Sequence, residues 1–259
     1  MTQSTLSLLL GLLLLVVPGY MIFVYDRLML PKAALAVVRM LVQLAVMGGL
    51  LWSLYRFDSV WLNLAWLLLL VTAASFLMVS RTRLRSRVLF MPACVGMFVS
   101  VLAVSAYLLY AVLRPADALS ACYFVPVTGI LMAHVLTTNI HAVRTYFESL
   151  RQDSQPYLTL LGNGAKRRQA LAPYLSRALK SLIVPAITNL SAMGLFVMPM
   201  LLSGFLFGGM DPVSAVVTFV VFMVACITVS VLSLFLTLWL ADRRAFNRQG
   251  LLGDIFTGG

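Results

Sequence analysis

Seven stretches of this chain are apolar over 20 residues or more: about Leu6 to Tyr25, Ala33 to Leu54, Val60 to Ser80, Val88 to Leu113, Leu119 to Val143, Ser181 to Phe207 and Val213 to Ala241. A helix rises 1.5 Å per residue and the hydrocarbon core of a bilayer is about 30 Å thick, so about 20 apolar residues make one crossing. In lipid each backbone group must be satisfied within its own segment, which leaves the helix as the form these stretches take. The sequence predicts an all-α polytopic membrane protein with about seven transmembrane helices, forming one membrane domain over residues 1–259. Composition agrees: 62% of residues are hydrophobic, 10% are charged and the mean hydropathy is +1.00. A net charge of +11 on so little polar sequence cannot build the basic face of a soluble nucleic-acid-binding domain. Cys94, Cys122 and Cys226 lie in or beside apolar runs at no metal-like spacing and read as small buried hydrophobes. The opening MTQSTL lacks a basic n-region and VVPGYMIF offers no small-x-small cleavage site, so the first stretch is expected to be retained.

Lys and Arg set the orientation. With seven crossings, sixteen of the nineteen fall on one side: Arg27 and Lys32, the four arginines from Arg81 to Arg87, seven between Arg144 and Lys180, and Arg243, Arg244 and Arg248. Arg56 and Arg114 fall on the other, and Arg39 lies inside the second stretch. The expected topology is N-terminus outside, C-terminus inside.

Connectors are short except for the inside stretch from Arg144 to Lys180. Loops of this length in compact proteins usually carry function. Its second half reads GAKRRQALAPYLSRALKSLIVP, where Leu171, Tyr174, Leu175, Ala178, Leu179 and Leu182 recur at helical spacing and Arg167, Arg177 and Lys180 fall off that stripe. This predicts an amphipathic helix along the inner membrane surface, broken or kinked at Pro173, that leads into the sixth span. It either rests on anionic headgroups or docks a soluble partner. LGNGAKR lacks the Gly-Lys-Ser/Thr ending of a phosphate loop, and no Walker motif, HExxH, GxSxG or Cys/His ligand set occurs in the chain. No enzyme activity is expected of this chain.

The segment GLFVMPMLLSGFLFGGMDP places two prolines and four glycines in nineteen residues. Such punctuation weakens a helix in water, whereas in lipid small residues let helices pack closely and Pro is tolerated. Gly194, Gly204 and Gly208 are expected to give close approach, and Pro199 a bend near the outer leaflet that forms a gate or pathway wall. Inside the spans the polar residues are Arg39, Gln43, His134, Asn139, His141, Asn189 and a set of hydroxyls, and embedded ionisable groups are candidates for function. Arg39 and Gln43 share a helix face, where Arg39 either takes part in a pathway or snorkels. His134 either packs or titrates, and His141 is expected at the inner boundary.

From Gly164 onward the spacing resembles the FetB-type membrane subunits of ABC transporters, associated with bacterial iron export and plant aluminium tolerance. The matching residues are Gly164-Ala165, Gln169-Ala170, Pro185, Gly194-Leu195, Pro199, Ser203-Gly204, Gly209 and Asp211-Pro212, with no gap needed between Gly164 and Pro212. Upstream, Arg39 with Gln43 and Pro126 with Gly129 are similar to further family patterns. The resemblance implies a permease of a bacterial inner membrane that pairs with a separate ABC ATPase subunit, as a homodimer within a complex of two copies of each. ATP and Mg are then bound by the partner, and this chain needs no cofactor and no metal of its own. It implies ATPase coupling through Gly164, Ala165, Gln169 and Ala170, with Gly164-Ala165 allowing close backbone approach. Arg39, Gln43, His134, Asn189, Pro199, Ser203 and Gly204 are the expected pathway residues, and membrane lipids are expected as a further partner of the chain.

The chain departs from the family pattern at Thr188 and Ser191, where an acidic residue and a lysine are usual, at Met200 for a glycine, at His134 for an asparagine and at Phe219 for a glutamine. These exchanges leave no embedded carboxylate as a hard ligand for a metal cation. The expected function is export of a small solute driven by the partner's ATP hydrolysis. Two rivals stand beside it: a non-transporting scaffold that recruits an ATPase, and a secondary transporter driven by protons through His134.

Overall fold

The computed structural model of the chain describes residues 13–14, 16–25, 27–82, 84–115, 117–193 and 204–246. Contacts group the chain into two compact units, Met1–Phe57 and Asp58–Gly259. In the first, α1 (Val16–Tyr25) passes through a 3-10 turn, Arg27–Met29, into α2 (Leu30–Phe57). Pro18 and Pro31 sit in the first turns of these helices, where a missing N–H costs nothing. Arg27 lies 4.5 Å over the Phe23 ring and Arg56 lies 5.0 Å over Trp52, pairs that suit the membrane interface.

The second unit contains α3 (Val60–Thr82), α4 (Ser86–Tyr107) with a π-helical continuation at Leu108–Leu113, α5 (Ala121–Gln152), α6 (Ser154–Gly162), α7 (Arg167–Met193) and α8 (Pro212–Ala245). A single helical turn occupies 204–207, and no strand occurs among the described residues. Helix α5 is the hub, packing on α3, α4, α6, α7 and α8, while α4 and α8 share the most extensive contact. Bonds between helices fix their directions. Thr138 with Ser230, Asn139 with Ser233 and Tyr146 with Asp242 run in step along α5 and α8, so these two helices are parallel. Asn63 Nδ2 donates to the Leu119 carbonyl at 2.8 Å, placing the start of α3 beside the start of α5.

Asp58, Ser120 and Asp211 therefore open α3, α5 and α8 at one end, and Arg81, Arg151, Arg243 and Arg244 close them at the other. The charge alternation read from the sequence is thus a real separation into an acidic and a basic end within this unit. At the acidic end Asp211 Oδ2 accepts from the N–H groups of Val213 and Ser214, and Pro212 follows at the first helical position, which explains the Asp-Pro pair.

Among the described residues five helices are long and apolar enough to cross a membrane: Pro31–Phe57, Val60–Thr82, Ser86–Leu113, Ala121–Gln152 and Pro212–Ala245. They correspond to the second, third, fourth, fifth and seventh expected spans. The first and sixth fall partly on residues outside the described ones. Two expectations need correction. The stretch from Arg144 to Lys180 is no open loop, because α5 runs on to Gln152, α6 follows at once and α7 begins at Arg167. Nor does Pro173 break the amphipathic helix, since α7 is continuous through both Pro173 and Pro185.

Candidate functional site: an elbow at the basic end

At 1.5 Å per residue, α5 is about 48 Å long and α8 about 51 Å, against about 30 Å of hydrocarbon. Both helices overshoot, and the α6–α7 elbow is built on the overhang. Most of the stripe expected from the sequence faces protein: Leu171, Tyr174, Ala178 and Leu182, with Ala170 beside them, are buried in the same core as Val143, Tyr146 and Phe147 of α5, Leu175 packs against that core and Leu179 is half-buried. Arg177 and Lys180 are exposed, as their positions off the stripe predict. The apolar face is thereby committed to α5 instead of to lipid headgroups.

The turn between α6 and α7 accounts for the residues singled out there. Gly164 N–H donates to the Leu161 carbonyl and Ala165 N–H to the Leu160 carbonyl, both at 3.0 Å, the paired bonds of a glycine-terminated helix. Gly164 has φ of +82°, which other residues adopt only under strain. The close backbone approach expected of Gly164 is to a partner subunit, and within this chain nothing lies within 4 Å of a Cβ placed there. The left-handed turn requires the glycine and leaves it open to solvent. Gln169 then starts α7: its Oε1 accepts from the Lys166 N–H at 3.0 Å, reaching back to cap the first turn. Gly164 and Gln169 are exposed, Ala165 is half-buried and Ala170 is fully buried beneath them.

Three further groups lock the elbow. Tyr174 donates its hydroxyl to the Asp153 carbonyl, and Arg177 Nη1 pairs with the Asp153 carboxylate at 3.0 Å, tying α7 to the α5–α6 corner. Burial pushes the Tyr174 phenol up from its ordinary value, so it remains a donor. Arg167, the first residue of α7, donates to the Asp242 carbonyl of α8 and stacks 4.1 Å over Phe246, whose ring lies 5.7 Å from Tyr157 of α6. Tyr146 of α5 donates to the Asp242 carboxylate at 3.0 Å. Four helices thus meet around Arg167 and Asp242. Sequence reasoning missed Asp153 and Asp242, although a signal existed: the chain has only eight acidic residues, and these two stand among arginines just beyond apolar stretches.

Within the spans the expected pathway residues are not gathered into one site. Arg39 and Gln43 lie one turn apart on α2, in the first unit. His134 is half-buried on α5, with Nε2 shielded from solvent and without a hydrogen-bond partner among the described residues. Beside it on α5, Thr138 meets Ser230 at 3.1 Å and Asn139 Nδ2 donates to Ser233 Oγ at 2.8 Å, making a polar seam against α8. Such bonds in membrane proteins average about 0.6 kcal/mol each. Asn189 lies on α7 with its side chain outside the description, and Pro199 and Ser203, like Gly194, fall outside the described residues. Gly204 opens the turn at 204–207 with no atom within 4 Å of a Cβ there, so the close approach expected of it is not made within this chain. Among the described residues no three His, Cys, Asp or Glu side chains converge as metal ligands.

The chain is 26% identical over 243 residues to the Escherichia coli protein named Probable iron export permease protein FetB, covering 92% of this chain and 90% of that one. It is 26% identical over 211 residues to the UPF0014 membrane protein slr1647 of Synechocystis, covering 82% of each. With the UPF0014 membrane protein STAR2 of rice it shares 28% identity over 221 residues, 85% of this chain and 75% of the relative. No solved structure matches the chain. The family model matches residues 5–246, and this chain of apolar spanning helices belongs to the uncharacterised protein family UPF0014 as a multi-pass membrane protein.

Proposed function

We propose that the chain is the membrane-spanning permease subunit of an ABC-type exporter in a bacterial inner membrane, acting as a homodimer with two copies of a separate ATPase that binds ATP and Mg. The observation that carries this reading is the elbow. An exposed, basic, glycine-turned hairpin is clamped at Asp153 and Asp242 and continues without a break through α7, which runs into the stretch expected as the sixth span. A soluble motor needs such a handle: rigid, accessible and covalently continuous with a spanning element. The name of the Escherichia coli relative supports the permease class, and that of the rice relative a membrane protein. The substrate is a small solute. The polar seam in the spans offers hydroxyls, an amide and the His134 imidazole instead of carboxylates, which suits a partly dehydrated or complexed species better than a bare hard cation.

Gly164→Trp in the complex, reconstituted with its co-expressed ATPase, tests the coupling role. The strained turn costs the folded chain about 1–2 kcal/mol, too little to prevent insertion, while substrate-stimulated ATPase activity is lost. Gly164→Asn, which tolerates positive φ, retains most of it. Normal stimulation in the Trp variant refutes the coupling assignment. A complex that couples ATP hydrolysis to the elbow yet moves none of a panel of metal ions, metal chelates and lipids into vesicles favours the scaffold reading, which the mutually satisfied hydroxyl pairs between α5 and α8 also suit.

A further inference from the structure

We propose that a groove between α3 and α5 at the basic end binds the headgroup of an anionic phospholipid. The groove has a volume of about 590 Å³, and its polar rim includes Arg81 from the last turn of α3 with His141 and Arg144 from successive turns of α5. Its floor is apolar, formed by Leu77, Leu136 and Ile140. No carboxylate lines it. Glu148 pairs with Arg144 through Nε alone, at 2.7 Å, which engages one of the five guanidinium donors. Arg81 has no ion-pair partner among the described residues.

The level of the groove identifies its occupant. Val60 to Ser80 on α3 and Ala121 to His141 on α5 each span twenty residue rises, about 30 Å, which is the thickness of the hydrocarbon core. Measured from the acidic end, the cationic rim therefore meets the opposite leaflet where phosphates lie, and the apolar floor points back along the acyl chains. Two guanidinium groups over a hydrophobic slot complement a phosphodiester joined to a diacylglycerol. A zwitterionic headgroup would bring an ammonium to a rim whose neighbouring carboxylate, Glu148, is already paired with Arg144, so the lipid is a net-anionic one such as phosphatidylglycerol. The elbow's own stripe is already covered by α5, so this groove, and not the amphipathic helix, is the headgroup contact the fold provides.

The test is lipid retention by the purified full chain in mild detergent, read by native mass spectrometry with phosphatidylglycerol, phosphatidylcholine or inorganic phosphate added. Wild type should retain one phosphatidylglycerol per chain that phosphatidylcholine does not replace and millimolar phosphate does not displace. Arg81→Gln with Arg144→Gln should weaken retention about tenfold. Arg87→Gln with Lys180→Gln, which removes the same charge from exposed basic-end positions outside the groove, should leave it unchanged. Equal loss in both double variants, equal retention of phosphatidylcholine, or displacement by phosphate each overturns the proposal. Should the groove variant not fold, a photoreactive residue at Thr137 in the otherwise native chain decides. Crosslinking to phosphatidylglycerol upholds the site, and crosslinking only to a second protein chain overturns it.

Discussion

At the scale of single residues, the acidic end turns on Asp58. Its backbone is left-handed, with φ of 34°, and its carboxylate accepts from the Ala121 N–H at 2.6 Å and the Ser120 hydroxyl at 2.9 Å, so it caps a helix 63 positions away. The bond from Ala121, with a smaller contribution from Ser120, holds the Asp58 carboxyl below its usual value. A depressed folded-state value stabilises the fold above the unfolded carboxylate value of about 3.9, and that stabilisation is lost as the pH falls through the folded value. Asp58→Asn is therefore expected to melt lower than wild type at pH 7 in detergent, with the gap closing as the pH falls below about 4. A gap that persists unchanged down to pH 2 rules out the carboxylate's role. None of this was legible in the sequence, where Arg56-Phe57-Asp58-Ser59 reads only as a short turn, because the partner comes from tertiary packing. Gly164 and Gln169 were legible as positions through the resemblance, yet their physical reasons, a left-handed turn and a side-chain cap, became visible only with the backbone in place.

Among elements, the tightest crossing is α4 on α8. A Cβ at Gly96 would lie 2.3 Å from Thr237 Oγ1 and 2.9 Å from the Thr237 backbone nitrogen. The glycine lets these helices meet backbone to backbone, the role that sequence reasoning assigned to Gly194, Gly204 and Gly208. Gly96→Ala should destabilise by about 1–3 kcal/mol in a thermal melt, as overpacking does. Thr237→Ala should rescue it only in part, because the nearer constraint after the hydroxyl is backbone. Full rescue means that the side chain alone sets the distance. The spanning helices themselves were plain from apolar run length, since lipid imposes it. The α6 hairpin was not: SQPYLTLLG has a proline and polar residues in its opening turn and reads as loop, although a helix tolerates Pro in that turn. The reverse holds at Pro173, where the sequence alone reads a break or kink and packing keeps α7 continuous.

For the whole molecule, the helices of the second unit place Asp58, Asp117 and Asp211 at one end and most of the arginines, with Glu148, Asp153 and Asp242 among them, at the other, and the excess of positive charge there predicts which end stays in the cytosol. Lys166→Cys is expected to resist a membrane-impermeant maleimide added to sealed cells and to react after permeabilisation, whereas Pro115→Cys at the opposite end reacts in both. Labelling of position 166 from outside would invert the orientation and remove the elbow from any cytosolic motor. Helix α7 is held to its neighbours along the whole of its elbow half, by Arg167 to Asp242 of α8, by Tyr174 and Arg177 to Asp153 at the α5–α6 corner, and by Ala170, Ala178 and Leu182 in the shared core. A push on the exposed turn is therefore not absorbed by the hairpin but handed on to α5 and α8, so any such stroke shifts three helices as one block.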